Sequence, residues 1–241
     1  MLTLTTLENW HISGLDVWSA YLYGKLDEEI YMEFPEGFAP PHLENKVLRL
    51  FCTLYGLKQA GLAWWNELNK PMKELGFEWL KTDSSLFIYK EGNNIVIAII
   101  YVDDILFCSP SKAFVKKVKA TFMKRWEYGD LREAKDFLQM NIHRNGCCLR
   151  IDQCKYLEKV LECCGMINAK PAHTPLPQGY QPEKNTPPVN LELWMHFQTV
   201  IGLLLYLMLR TRPDIMYAVM QMAWQSANPT QEHLCIFCCL L

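Results

Sequence analysis

The sequence predicts an α+β fold, an antiparallel sheet backed by helices and followed by a separate helical part. Three observations predict it. Two apolar runs, residues 95–100 and 105–107, flank Tyr101-Val102-Asp103-Asp104 and read as the strands of a buried hairpin. Trp64, Leu68, Met72 and Leu75 recur at spacings of four, four and three, the period of an amphipathic helix. Pro171, Pro175, Pro177, Pro182, Pro187 and Pro188 crowd one stretch, which reads as a linker. The domains expected are residues 1–170, a linker at 171–190 and a helical segment at 191–241.

Each element has a local reason. Residues 1–10 look like the end of a helix, and residues 11–17 read as a strand that delivers Asp16. Asp27-Glu28-Glu29 and the Pro35/Gly37 pair mark loops, and residues 47–52 form a short strand. Residues 58–75 are helical, with a kink expected at Pro71 and an end at Gly76. Residues 87–90 and 95–101 are strands around the turn Glu91-Gly92-Asn93-Asn94, and residues 105–108 complete the next hairpin. Ser111 can cap a helix that reaches Trp126. Residues 137–143 and 148–151 pair around Asn145-Gly146. Residues 153–164 form an amphipathic helix closed by Gly165, and residues 191–210 and 214–227 are helices.

A chain of 241 residues, 50% of them hydrophobic, can bury a substantial core and is not a disordered protein. Its formal net charge of -2 is a poor match to a simple nucleic-acid binder, so such binding would need a local basic face. Lys112, Lys116, Lys117, Lys119, Lys124 and Arg125 offer one, with Phe114, Val115, Val118 and Phe122 on the other side of a helix. A solvated helix surface is the plainer account of the same residues. The ten cysteines fall partly in adjacent pairs, Cys147-Cys148, Cys163-Cys164 and Cys238-Cys239. Cys235-Ile236-Phe237-Cys238 lacks a second pair at finger spacing, so reduced, mostly buried thiols are expected. No signal peptide is visible, and the longest apolar stretch, residues 200–209, is too short to span a bilayer, so no membrane partner is expected.

The adjacent carboxylates Asp103 and Asp104 stand at the tip of the apolar hairpin. Buried anions are costly unless paired or bound to metal, and a divalent cation suits two carboxylates held together. An ordinary Asp-Asp turn explains the tetrapeptide equally well, because Asp is common in turns. Other blocks decide between the two. Leu15-Asp16-Val17-Trp18-Ser19-Ala20-Tyr21-Leu22 comes first, then Pro35-Glu36-Gly37-Phe38, then Leu54-Tyr55-Gly56-Leu57-Lys58-Gln59-Ala60 with Ala63-Trp64-Trp65. Asp83-Ser84-Ser85-Leu86-Phe87, Phe137-Leu138, Gly165-Met166 and Thr211-Arg212-Pro213-Asp214-Ile215 complete the series. In this order, from about residue 10 to residue 232, they resemble the reverse transcriptase of copia-type LTR retrotransposons, a part of the Pol polyprotein.

The resemblance implies a polymerase palm with the start of a thumb, a helical thumb or connection segment, and RNA-directed DNA synthesis. Nucleotidyl transfer needs a nucleophilic primer 3′-hydroxyl and a stabilised pyrophosphate, and two divalent ions about 4 Å apart can supply both. By resemblance Asp16 and Asp103 are the principal catalytic metal ligands and Asp104 assists. The ions would be Mg²⁺, which prefers oxygen ligands, with Mn²⁺ as its substitute. Tyr21 would underlie the sugar of the incoming nucleotide and disfavour a 2′-hydroxyl; a core aromatic is the competing account. Gly56 and Gln59 would lie against the templating base and incoming nucleotide, and Leu138 and Gln139 would belong to the primer-gripping hairpin. The partners implied are an RNA/DNA template-primer duplex and deoxynucleoside triphosphates, in a cytoplasmic virus-like particle, the nucleus, or both.

Departures from the family pattern raise a second expectation. Ala60-Gly61-Leu62-Ala63-Trp64 stands where the family has Ala-Pro-Arg-Ala-Trp, and Arg132 stands where Gly is usual. Gln139 also replaces a usual Gly, and Gln reaches φ > 0 only at a cost. About fifteen residues precede Asp16, where the family has its fingers, and an RNase H domain usually follows the last block. A truncated element is therefore expected, with fingers and RNase H supplied by other segments or a second subunit. The alternative function is a catalytically inactive remnant that binds nucleic acid or another protein.

Overall fold

A computed structural model describes residues 1–38, 40–43, 46–92, 94–131, 133–170, 172–177, 179–180 and 190–240. Its chain divides into two compact units, Met1–Phe137 with Arg144–Leu149 and Leu138–His143 with Arg150–Leu241. The division falls ahead of the proline-rich stretch, most of which lies outside the described residues, as do Asn93 and Arg132.

The first unit begins with helix α1 (Leu2–Leu7) and strands β1 (His11–Val17), β2 (Lys25–Met32) and β3 (Leu48–Cys52). Helix α2 (Ala60–Glu74) follows, then β4 (Glu78–Leu80), β5 (Asp83–Glu91), β6 (Asn94–Tyr101) and β7 (Asp104–Ser109). Helix α3 (Lys112–Phe122), β8 (Tyr128–Asp130) and β9 (Asp136–Phe137) complete it. Six strands make one antiparallel sheet in the order β4-β5-β6-β7-β1-β8. The α+β class with antiparallel pairing is thus as the sequence predicts.

Alternation along the strands decides which face is buried. Leu15 and Val17 of β1, Val96, Ala98 and Ile100 of β6, and Ile105 and Phe107 of β7 share one core with Trp64, Leu68 and Met72 of α2 and Val115, Val118 and Phe122 of α3. Both long helices therefore cover the same side of the sheet. Ser111 caps α3, its hydroxyl oxygen accepting from the Phe114 N–H at 3.2 Å. The helix ends at Phe122, short of the Trp126 expected. Helix α2 runs through Pro71 to Glu74, and Gly76 follows with φ +85°.

Two local readings are corrected here. Asp27-Glu28-Glu29 is not a loop but part of β2, which pairs with β3 across an irregular register. The ribbon is largely exposed, so its acids need no apolar alternation, and Glu29 pairs with Arg49 at 2.8 Å. The thiols are not mostly buried either: Cys52, Cys147, Cys148, Cys154, Cys163 and Cys235 are exposed, and only Cys108 among the described ones is fully covered. The exposed set sits in ribbons and on the outer faces of helices, where apolar character does not dictate burial.

Strands β10 (Met140–Asn145) and β11 (Cys148–Asp152) are shared between the two units. The second unit then holds α4 (Cys154–Cys163), α5 (Leu191–Arg210), a 3-10 turn at Pro213–Ile215, α6 (Met216–Ala223) and α7 (Gln231–Leu240). Phe197, Val200, Leu204 and Leu207 of α5 meet Tyr156 and Val160 of α4 and Ala218, Val219 and Met222 of α6. Helix α5 corrects the length argument about membranes. With residues 191–199, which mix Leu, Trp, Met and Phe with Glu192, His196 and Gln198, the helix has 20 residues and is by length and composition long and apolar enough to cross a bilayer, although one face of it forms this core. Helix α7 is an addition. Thr230 and His233 cap it reciprocally, the His233 N–H donating to Thr230 Oγ1 at 3.2 Å and the Thr230 N–H to His233 Nδ1 at 3.1 Å.

Candidate active site

β1 and β7 are neighbours inside the sheet, β1 flanked on its other side by the edge strand β8, and their register puts Asp16 directly opposite Asp104. Directly opposed residues project on the same side. Since Leu15, Val17, Ile105 and Phe107 point into the helix-covered core, Asp16 and Asp104 project on the other side. Asp104 also pairs with Tyr101 across the β6–β7 hairpin, which leaves Val102 and Asp103 as the two loop residues. The Val17 N–H donates to the Asp103 carbonyl at 2.9 Å, tying the turn to the strand that carries Asp16. Three carboxylates are thereby gathered at one end of the central strands.

The electrostatics record that proximity. Burial, then the Asp103 charge, then that of Asp16 push the Asp104 carboxyl up to about 6. Asp16 is raised by burial and next by Asp103, against a hydrogen bond from the Trp18 side chain that lowers it. Like charges crowded at the edge of the core are destabilising until a cation joins them. Among the described residues no three His, Cys, Asp or Glu side chains are grouped so that together they could hold a metal ion, so Asp16, Asp103 and Asp104 are near one another without forming a ready-made ligand set. Their donors are all oxygen, which is the chemistry hard divalent cations take, and such ions can be held by one or two carboxylates with the rest of the shell left to water and phosphate.

Trp18 and Tyr55 interact with the carboxylates, Trp18 through its hydrogen bond to Asp16 and Tyr55 through the Asp103 charge, while Tyr21 packs against the helix-covered core. Tyr21 lies in a 3-10 turn at Ala20–Tyr23, and its ring is 4.7 Å from that of Tyr55 at an angle of 58°. The Tyr55 hydroxyl is raised by burial and then by the Asp103 charge, so it lies in the field of the site. Tyr21 also lines a cavity of about 130 Å³ with Trp64, Leu68, Ile100 and Val102. The Trp64 indole N–H donates to the Val102 carbonyl at 2.6 Å. Gly129 of β8 faces Asp16, where a Cβ would stand 3.3 Å from Trp18 Nε1 and 3.6 Å from Asp16 Oδ2. Trp18, Tyr55 and Trp64 stand in the blocks that carry the resemblance, but the sequence assigns no site role to them or to Gly129. The concentration of Trp and Tyr near the carboxylate blocks is a signal that core packing explains as well, and Gly129 has none.

The remaining expected residues are dispersed. Gly56 sits at φ +96° with open space where a Cβ would be, so its backbone conformation is what calls for glycine. Gln59, at the start of α2, lines a different cavity from Tyr21, one of about 400 Å³ shared with Lys25, Asp27 and Glu28 of β2. Leu138 and Gln139 belong to the second unit, at φ +50° and +56°, with the Tyr206 hydroxyl donating to the Leu138 carbonyl. Gln139 does adopt the conformation that disfavours it, next to a residue whose carbonyl is held by a tertiary hydrogen bond. The basic segment 112–125 is corrected as a candidate duplex face for this site. Helix α3 covers the opposite side of the sheet from Asp16, Lys119 is buried against Asp130 at 2.7 Å and the Gly14 carbonyl at 2.6 Å, and Arg125 pairs with Glu74.

Comparisons with known proteins converge on one family. A family model described as reverse transcriptase (RNA-dependent DNA polymerase) matches residues 1–178. The chain is 37% identical over 243 residues to the retrovirus-related Pol polyprotein from transposon TNT 1-94 of Nicotiana tabacum, covering 97% of this chain and 18% of that protein. It is 35% identical over 231 residues to the Pol polyprotein from transposon RE1 of Arabidopsis thaliana, covering 94% of this chain and 15% of that protein. Against the transposon Ty5-1 protein YCL074W of Saccharomyces cerevisiae it is 30% identical over 222 residues, covering 91% of this chain and 71% of that protein. The chain therefore spans less than a fifth of the two plant polyproteins.

Proposed function

Because this chain belongs to the reverse transcriptase (RNA-dependent DNA polymerase) family of copia-type Pol polyproteins, we propose that its first unit is the palm of an RNA-directed DNA polymerase. The observation that carries the reading is the pairing of Asp16 with Asp104, with Asp103 at the adjoining turn. On this reading residues 1–170 are palm with the start of the thumb, residues 171–190 a linker, and residues 191–241 thumb or connection.

Asp16 and Asp103 would hold two Mg²⁺ ions, or Mn²⁺ in their place, with Asp104 assisting. Bound there, the ions would lower the pKa of the primer 3′-hydroxyl and neutralise charge on the pyrophosphate. The chain's own contribution is orientation. The β1–β7 ladder holds Asp16 and Asp104 in register, and the Val17 N–H holds the Asp103 backbone. Tyr21, braced by Tyr55, would pack under the deoxyribose and exclude a 2′-hydroxyl. Gly56 and Gln59 would contact the templating base and incoming nucleotide, and the turn at Leu138 and Gln139 would grip the primer. The partners are then a template-primer duplex and deoxynucleoside triphosphates, met in a cytoplasmic virus-like particle or the nucleus.

Primer extension tests the reading. The chain would receive an RNA template, a DNA primer, deoxynucleotides and Mg²⁺, beside an Asp103→Ala/Asp104→Ala control. Extension is expected from the native chain only. Salt-dependent duplex binding without incorporation, from a folded sample, would instead favour a non-catalytic nucleic-acid-binding remnant. The strained Gln139 is the observation that favours this second reading.

A further inference from the structure

The turn that carries Asp103 is strained in an unusual way. Val102 sits at φ +55°, while Asp103 is not among the residues of positive φ. Positive φ at the first loop residue alone is the type II′ pattern, whose first position glycine normally fills. A β-branched residue there is an outlier, because its Cβ crowds the carbonyl oxygen in the left-handed region. Such a conformation persists only where its surroundings over-determine it.

Two donors do so. The Trp64 indole N–H donates to the Val102 carbonyl at 2.6 Å, and the Val17 N–H donates to the Asp103 carbonyl at 2.9 Å. The first comes from α2 and the second from β1, the strand that carries Asp16. Trp64 is itself buried and packed on several sides. It is 3% exposed, its ring packs edge-on to Trp126 at 5.1 Å, and it lies 6.3 Å from the Tyr23 ring. Packing alone would be served by any large ring. An indole whose nitrogen reaches a strained carbonyl next to a site carboxylate does something packing does not require.

We propose that Trp64 is a positioning residue for Asp103: its N–H holds the Val102–Asp103 peptide in the strained orientation that presents the Asp103 carboxylate beside Asp16 and Asp104. The proposal rests on the metal-holding role of Asp103, and it predicts that the indole can be dispensed with when the strain is absent. Glycine at 102 adopts φ > 0 without help.

The test is a mutant cycle on the full chain, read without catalysis. Mn²⁺ alone is the probe, its binding followed by the loss of the free-ion paramagnetic resonance signal. Trp64→Phe keeps a ring in the core and removes the donor. It is expected to weaken Mn²⁺ binding about tenfold, the usual effect of removing a partner that orients a ligand. Val102→Gly alone is expected to change binding by less than about threefold, and Trp64→Phe in the Val102→Gly background is expected to cost less than about twofold. In parallel, amide exchange at Val17 in the metal-free chain reads the turn directly, since that N–H bonds to the Asp103 carbonyl. It should quicken about tenfold in Trp64→Phe and return toward native in the double variant. Equal losses from Trp64→Phe in both backgrounds would overturn the proposal, as would native-like exchange at Val17 in Trp64→Phe. Asp103→Ala separates the two readings: unchanged Mn²⁺ binding there would sink the metal-holding role itself, and the exchange arm would still decide whether Trp64 holds the turn.

Discussion

At the scale of single residues, the site is built from groups that each sit badly on their own. Val102 occupies a glycine conformation, and Asp104 is a carboxyl pushed up to about 6 by burial and by its two acidic neighbours. Such arrangements cluster at functional sites because they favour a bound partner over the free state. The Asp104 shift gives a signed prediction. Its folded value lies above the ordinary 3.8, so the folded chain binds more protons between about pH 4 and about pH 6, and stability falls as pH rises through that window. Asp104→Asn removes the penalty. In chelator-containing buffer the variant should be more stable than the native chain above pH 6, by about 1 kcal/mol after allowance for solvent screening, and the difference should vanish toward pH 4. Thermal denaturation at pH 4, 5, 6 and 7 checks it, and an Asn variant less stable than native at pH 7 would refute it. Asp103 and Asp104 stood out in the sequence because they are adjacent; the strain at Val102 did not, since Val is an ordinary strand residue and only the two-residue turn closed by Tyr101 and Asp104 puts it at positive φ.

At the scale of elements, most of the legible structure is local. β1, at His11–Val17, and α5, at Leu191–Arg210, have the expected bounds, since apolar periodicity and flanking breakers decide both. β2 was missed because an exposed ribbon carries no alternation to read, and α7 because its cap uses His233 where a Glu or Gln is usual. The turn before β10 shows both kinds of control. Leu138 and Gln139 each take positive φ, with Tyr206 of α5 bonded to the Leu138 carbonyl. Gln139→Gly should relieve about 1 kcal/mol of left-handed strain and raise the melting temperature. Tyr206→Phe should lower it by loosening the same turn. A Gly variant less stable than native, by denaturant titration, would mean that the Gln139 side chain contributes more than its backbone costs.

At the scale of the whole molecule, the described residues form two hydrophobic cores. One is centred on Phe107, Trp64 and Phe122, the other on Phe197, Leu204 and Val219. Each is a contiguous cluster, so each should govern the stability of its own unit. Phe107→Ala and Leu204→Ala should cost about 3–4 kcal/mol each, and each should expose, in hydrogen exchange, chiefly the amides of its own unit. Uniform loss of protection throughout the chain from either substitution would show a single cooperative body instead. The sequence by itself determined the class, the central strands, the Ser111 cap of α3 and the family, because these follow from periods of two and 3.6 residues, from turn chemistry and from ordered blocks that survive in one dimension. Only the tertiary structure decided that Asp16 faces Asp104, that the helix of lysines covers the other side of the sheet, and that an indole holds the Asp103 turn. Those facts depend on strand register between residues far apart in the chain, and a slip of a single residue would turn every side chain to the opposite face.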